Sequence, residues 1–188
     1  MRILAISGSL RRGSYSSGLL RAARELAPAG VEIDTYGGLA GLPAYDEDLD
    51  AGAPPAPVAE LRERIAGADA LLIATPEYNG SVPGALKNAL DWASRPHGLS
   101  ALSAKPVGVI GSSPSPFGGA WAEESLRRVL TVAGALPLET EMTVGKVDTL
   151  FVDGELADPG TRSEIAALVA GLAGFAEAGR AAEAPAAA

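Results

Sequence analysis

Three runs of this chain are almost wholly apolar: RILAIS at 2–7, DALLIAT at 69–75 and KPVGVIGSS at 105–113. A strand with one wet face alternates apolar and polar residues. Continuous runs like these belong to strands covered on both faces, and that requires a parallel sheet between two helical layers. The segments between them supply the helices. SSGLLRAARELA (16–27) sets Leu19, Leu20, Ala23, Leu26 and Ala27 at helical spacing, and 57–68, 82–93, 119–135 and 161–181 read the same way. Pro83 stands near the start of its helix, where a missing N–H costs nothing. VEIDTY (31–36) alternates as a further strand, and LPLETEMTV (136–144) is expected as the last. Residues 37–57, rich in Gly, Pro and Asp, are expected as a long loop. The order is β-α repeated five times, which predicts an α/β fold: a doubly wound five-stranded parallel sheet with helices on both faces.

Composition narrows the chemistry. A chain of 188 residues suits one domain and buries a core without staples. With no cysteine, a disulfide scaffold, a thiolate zinc site, a cysteine nucleophile and a cysteine-held iron–sulfur cluster are excluded. A formal net charge of −8 argues against a nucleic-acid partner, which would need a basic face. The N-terminus enters a strand directly, and no apolar run is expected to approach the ~18 residues of a membrane span, so no membrane insertion and a cytoplasmic location are expected.

In doubly wound sheets ligands bind outside the carboxyl ends of the strands. That rule selects three loops. The first is GSLRRGSYSSG (8–18), between strand one and helix one. The amides and dipole at a helix start favour an anion. Glycines let the backbone approach, serines add short donors, and Arg11 or Arg12 offers a bidentate fork to a phosphate. The loop matches neither a Walker A sequence nor G-x-G-x-x-G. Its plain alternative is a polar turn with Ser16 or Ser17 as N-cap. The second loop, TPEYNGSVPG (75–84), packs two prolines and two glycines around one Tyr and one Asn. Such a preformed path can aim backbone groups at the edge of a planar polar ring, with Tyr78 against it; the alternative is a rigid turn feeding a helix capped by Ser81. The third, GSSPSPFGGAW (111–121), repeats the composition with Phe117. A flat ligand with a phosphate tail would meet all three.

GSLRRGSYSSGLL, TPEYNGSVPGALKNALDW and VGVIGSSPSPFGGAWAEESLRRVL together resemble the NADPH-dependent FMN reductases, the group that includes bacterial quinone and chromate reductases. The resemblance runs from residue 2 to about 135. It implies a flavodoxin-like fold with strand order 2-1-3-4-5, forming a single FMN-binding domain over 1–182 with a frayed tail at 183–188. It implies that the FMN phosphate meets Ser9, Arg11, Ser16 and Ser17. The isoalloxazine would meet Pro76, Glu77, Tyr78, Asn79 and Gly80, and the third loop would close the other edge at Ser113 and Gly118. Ser16 stands where family members often carry Asn, and Ser115 where Gly is usual. The implied activity is hydride transfer from NADPH or NADH to bound FMN, followed by two-electron reduction of a quinone, flavin or similar small acceptor. A homodimer or homotetramer is implied as well. A flavodoxin-type electron carrier is the rival within the fold; such carriers typically lack an arginine like Arg11 in the phosphate loop. A phosphate-ligand domain without flavin is the rival outside it.

Other polar groups read as structural. The lone His97 is expected as a solvated loop residue. Glu123–Arg127 and Glu124–Arg128 are i,i+4 pairs in the favoured order, expected on an exposed helix at ~0.3–0.5 kcal/mol each. Lys87 and Asp91 share that spacing. DEDLD (46–50) is expected as solvated loop, since it lacks the glycine and distant Glu of an EF-hand.

Overall fold

The computed structural model of the protein describes residues 1–183. The expected tail, apart from the helix backbone at 183, lies outside the described residues. Strands β1 (Arg2–Ser7), β2 (Glu32–Tyr36), β3 (Ala70–Pro76) and β4 (Pro106–Ser112) pair in parallel, with short strand β5 (Leu136–Pro137) beyond β4. The order β2-β1-β3-β4-β5 is the flavodoxin-like one expected.

Alternation along each strand builds two cores. Leu4, Ile6, Leu71, Ile73, Val107 and Val109 face α3 (Ala56–Ala66), α4 (Gly84–Ala93) and α5 (Ala120–Val132). Ile3, Ala5, Ala70, Leu72 and Ile110 face α1 (Tyr15–Glu25) and α6 (Pro159–Glu183). With both faces covered, β3 buries six of its seven residues, which is the physical reason its sequence shows no polar alternation. Helix α6 corrects one expectation. Pro159–Ala182 is long and apolar enough to cross a membrane by length and composition. Its Ile165, Leu168, Val169 and Leu172 are buried against the sheet, however, and that contact accounts for the apolar stripe.

The last strand departs from expectation. Instead of running through 136–144 it splits into β5 and β6 (Thr143–Val144), pairing with opposite ends of β4. Pro137 has no amide for a ladder. Beyond it the Arg127 guanidinium takes over, donating to the carbonyls of Leu138 and Thr140 while pairing with Glu123. Glu123 is 3% exposed, so this pair is buried rather than solvated as its spacing suggested. Burial pushes the Glu123 carboxyl above its ordinary value, and the bond and charge of Arg127 only partly offset that.

The long loop is also more ordered than expected. It carries a 3-10 turn at Leu39–Gly41 and the short helix α2 (Glu47–Asp50). The side chain of Asp50 is 7% exposed, 2.6 Å from Arg62 and 3.2 Å from Arg95. Burial alone would raise its pKa, but the two guanidinium groups outweigh this and hold the carboxyl below the usual range. DEDLD is thus partly a buried anchor. The Pro43 carbonyl accepts from Asn88 (2.8 Å) and Trp92 (2.9 Å), tying the loop to α4.

A hairpin, β7 (Phe151–Val152) and β8 (Glu155–Leu156), precedes α6. Its turn residues Asp153 and Gly154 both have positive φ, as a two-residue type I′ turn requires. Phe151 packs 5.3 Å from the Tyr15 ring and so buttresses the start of α1.

Candidate functional site

The first loop leaves β1 at Ser7 and enters α1 through Ser14, not Ser16 or Ser17. Ser14 is extended (φ −72°, ψ 131°), and its Oγ accepts from the Ser17 amide at 3.4 Å. The first intrahelical bond comes from the Gly18 amide to the Ser14 carbonyl. The amides of Tyr15 and Ser16 precede it and stay available to a ligand. Arg11 is exposed; its amide donates to Ser9 Oγ at 3.3 Å, and its Nη2 donates to the Gly13 carbonyl at 3.2 Å. The guanidinium is therefore folded back over the loop. Ser16 Oγ lies 3.0 Å from Ser112 Oγ. Ser17 Oγ donates instead to Ser7 Oγ at 2.9 Å, so that hydroxyl braces the end of β1.

In the middle loop, Tyr78 and Ser81 exchange backbone hydrogen bonds of 3.0 and 3.1 Å around Asn79 and Gly80. Both turn residues have positive φ, the type I′ geometry for which Asn-Gly is the preferred pair. Helix α4 starts after Pro83 with no side-chain cap; Ser81 Oγ lies 3.2 Å from Ser125 Oγ instead. The Glu77 side chain reaches α5, where its Oε2 accepts from the amides of Trp121 and Ala122.

The third loop is stitched to β6. The Ser113 amide donates to the Val144 carbonyl at 3.1 Å, and Ser113 Oγ accepts from the Ser115 amide at 3.0 Å. Gly118, at φ 63°, is buried: a Cβ there would sit 2.9 Å from the backbone nitrogens of Val144 and Gly145.

These loops enclose one cavity of about 350 Å³. Seven of the expected residues line it: Ser9, Arg11 and Ser16 from the first loop, Pro76, Glu77 and Tyr78 from the second, Ser113 from the third. Ser17, Asn79, Gly80 and Gly118 do not line it. The first and last of these shape the wall from behind, and the Asn-Gly pair forms an exposed turn beside it. Ser14, one of the first loop's expected hydroxyl donors, also lines the cavity, as do Tyr15, Ser112, Pro114 and Val147, which were missed. Ser14 and Tyr15 were within reach of the sequence, since a cap at Ser14 would start the helix one residue on. Val147 was not, because only pairing of β6 with β4 brings it there. His97 is exposed on a different groove, between α4 and α5. Lys87 and Asp91 pair at 2.6 Å.

Chemically the cavity has two ends. One carries serine hydroxyls, a cation and the free amides of a helix start, which suits a phosphate monoester. The other has Pro76, Tyr78 and Pro114, rigid and largely apolar, which suits a flat ring. FMN combines those two parts, and the residues present fit it.

The sheet order is flavodoxin-like, and the cavity at its carboxyl edge suits FMN. The sequence pattern of the NADPH-dependent FMN reductase family matches residues 1–149, and the chain belongs to that family. It is 45% identical over 168 residues to an NAD(P)H-dependent FMN reductase of Pseudomonas aeruginosa, covering 88% of this chain and 89% of the relative. It is 38% identical over 180 residues to a quinone reductase of Pseudomonas putida, covering 95% and 96%. Among solved structures it resembles the NAD(P)H:(acceptor) oxidoreductase FerB of Paracoccus denitrificans, with TM-score 0.83, 34% identity, and 94% and 97% of the two chains covered. The protein is an NAD(P)H-dependent flavin oxidoreductase with FMN as its cofactor.

Proposed function

We propose that residues 1–182 form one flavodoxin-like domain that uses FMN to pass two electrons from NAD(P)H to a quinone. The observation that supports it most is the meeting of all three loops on one cavity, with serines and Arg11 as donors for a phosphate and Pro76, Tyr78 and Pro114 as rigid, largely apolar lining. Quinone reductases of Pseudomonas putida and Escherichia coli, 38% and 39% identical, support a quinone as acceptor. When bound, FMN supplies the electron transfer itself; the protein contributes binding and orientation.

In this reading Arg11 and the amides of Tyr15 and Ser16 hold the phosphate, with Ser9 and Ser16 adding hydroxyl donors. Pro76, Tyr78 and Ser113 bound the ring, and the Asn79–Gly80 turn fixes the height of Tyr78 beside it. Tyr78 is 48% exposed, which leaves it accessible to an arriving nicotinamide or quinone. No acid–base side chain is assigned. The protein works in the cytoplasm as a homodimer or homotetramer; exposed Leu99 and Val132 beside the α4–α5 groove support self-association.

Arg11→Ala is expected to weaken FMN binding by about 1.5–3 kcal/mol, the range for a charge-assisted hydrogen bond, as read by titrating apoprotein with FMN. Unchanged affinity would remove Arg11 from the site. The acceptor is tested by steady-state turnover on a panel of benzoquinones, free flavin, azo dyes and chromate with each nucleotide. Quinones are expected to give the highest kcat/KM; a protein active only on free flavin would refute the quinone reading.

A further inference from the structure

Glu77 sits in the middle loop, yet its Oε2 accepts from the amides of Trp121 (3.1 Å) and Ala122 (3.3 Å) at the start of α5. The first amides of a helix lack intrahelical acceptors, and an N-cap side chain ordinarily meets them. Helix α5 has none, because its N-cap is Gly119 at φ 77°. A capping residue could not take that place: a Cβ on Gly119 would lie 3.0 Å from the Ser112 amide nitrogen. The cap is therefore supplied from outside the helix, and a carboxylate at the positive end of the helix dipole is favourably placed.

This tie joins two walls of the cavity. Pro76, Glu77 and Tyr78 all line it, and the third loop runs directly into α5. The same helical turn carries Trp121, whose ring lies 3.5 Å from where a Cβ on Gly80 would be. Beside the Ser81–Ser125 hydroxyl contact, the Glu77 carboxylate is the charged tie that aligns the middle loop with the third. We infer that Glu77 is a positioning residue: its side chain clamps the middle loop to α5 and is not a ligand of the flavin. The tie is a feature of the polypeptide, whereas its consequence for the cofactor rests on the flavin reading above.

The test compares wild type, Glu77→Gln and Glu77→Ala, first as apoprotein by hydrogen exchange at the Trp121 and Ala122 amides. Glu77→Ala is expected to speed exchange at both amides about tenfold, as loss of a cap does, while Glu77→Gln, which keeps an acceptor oxygen, stays within about threefold. FMN titration is expected to follow the same order, with affinity about tenfold weaker in Glu77→Ala and largely rescued in Glu77→Gln. Weakened FMN binding with unaltered amide exchange would overturn the clamp in favour of direct contact. Faster exchange with unaltered FMN affinity would equally overturn it as a positioning device. If wild type binds no FMN, the flavin reading fails, while the exchange data still decide whether the tie exists.

Discussion

Arg127→Ala should be among the most damaging single substitutions in this protein, lowering unfolding free energy by about 3–5 kcal/mol in urea titrations at neutral pH. That is the usual cost of removing one partner of a buried ion pair, because the remaining charge stays buried without compensation. Here the stranded group is Glu123, with Glu124 and Glu141 adding like-charge repulsion. The carbonyls of Leu138 and Thr140 also lose their donor. The pH dependence has a definite sign. A carboxyl whose folded pKa is raised stabilises the fold most below its unfolded value, near 4.5, and that contribution is lost as pH rises through the folded value. Without Arg127 the shift grows, so the damage is expected to be larger at pH 8 than at pH 5. Glu123→Gln in the Arg127→Ala background should recover part of the loss; no recovery would mean that the carbonyl contacts dominate.

Gly118→Ala is the second large effect, expected at about 2–5 kcal/mol. A left-handed conformation costs a non-glycine residue about 1–2 kcal/mol. Forcing a methyl against fixed atoms adds about 1–3 kcal/mol more. The atoms it meets belong to the backbone of Thr143, Val144 and Gly145, which cannot rotate aside. The displaced third loop carries Ser113 and Pro114, so FMN affinity should fall with stability. A Gly118→Ala variant with wild-type melting and flavin binding would show that β6 yields easily and does not brace the site.

How much of this the sequence could show depended on the range of the forces involved. The strands β1, β3 and β4 were legible because burial on both faces leaves a local trace, an unbroken apolar run. The three loops were legible because special backbone demands Gly, Pro and Ser in the sequence itself. The broken fifth strand was not, because it is decided by Arg127 reaching from another element to two carbonyls. The same blindness hid the burial of Asp50, whose partners stand 12 and 45 residues away. For Glu77 the resemblance implies a flavin contact, and no local signal shows the reach of its carboxylate to the amides of Trp121 and Ala122, 44 and 45 residues away. The Asp153–Gly154 turn did carry a local signal, since Asp-Gly favours a hairpin, but its short flanking strands offered little periodicity.

We propose that the cavity between the three loops holds FMN as a cofactor that NAD(P)H reduces and a quinone reoxidises. The most direct test is an anaerobic titration of FMN-loaded protein, freed of excess flavin, with NADPH or NADH while the flavin's visible absorption is followed. Bleaching is expected with at least one nucleotide, and full return of colour on adding one equivalent of benzoquinone. Protein that takes up no FMN, or whose bound flavin stays oxidised with both nucleotides, would contradict it.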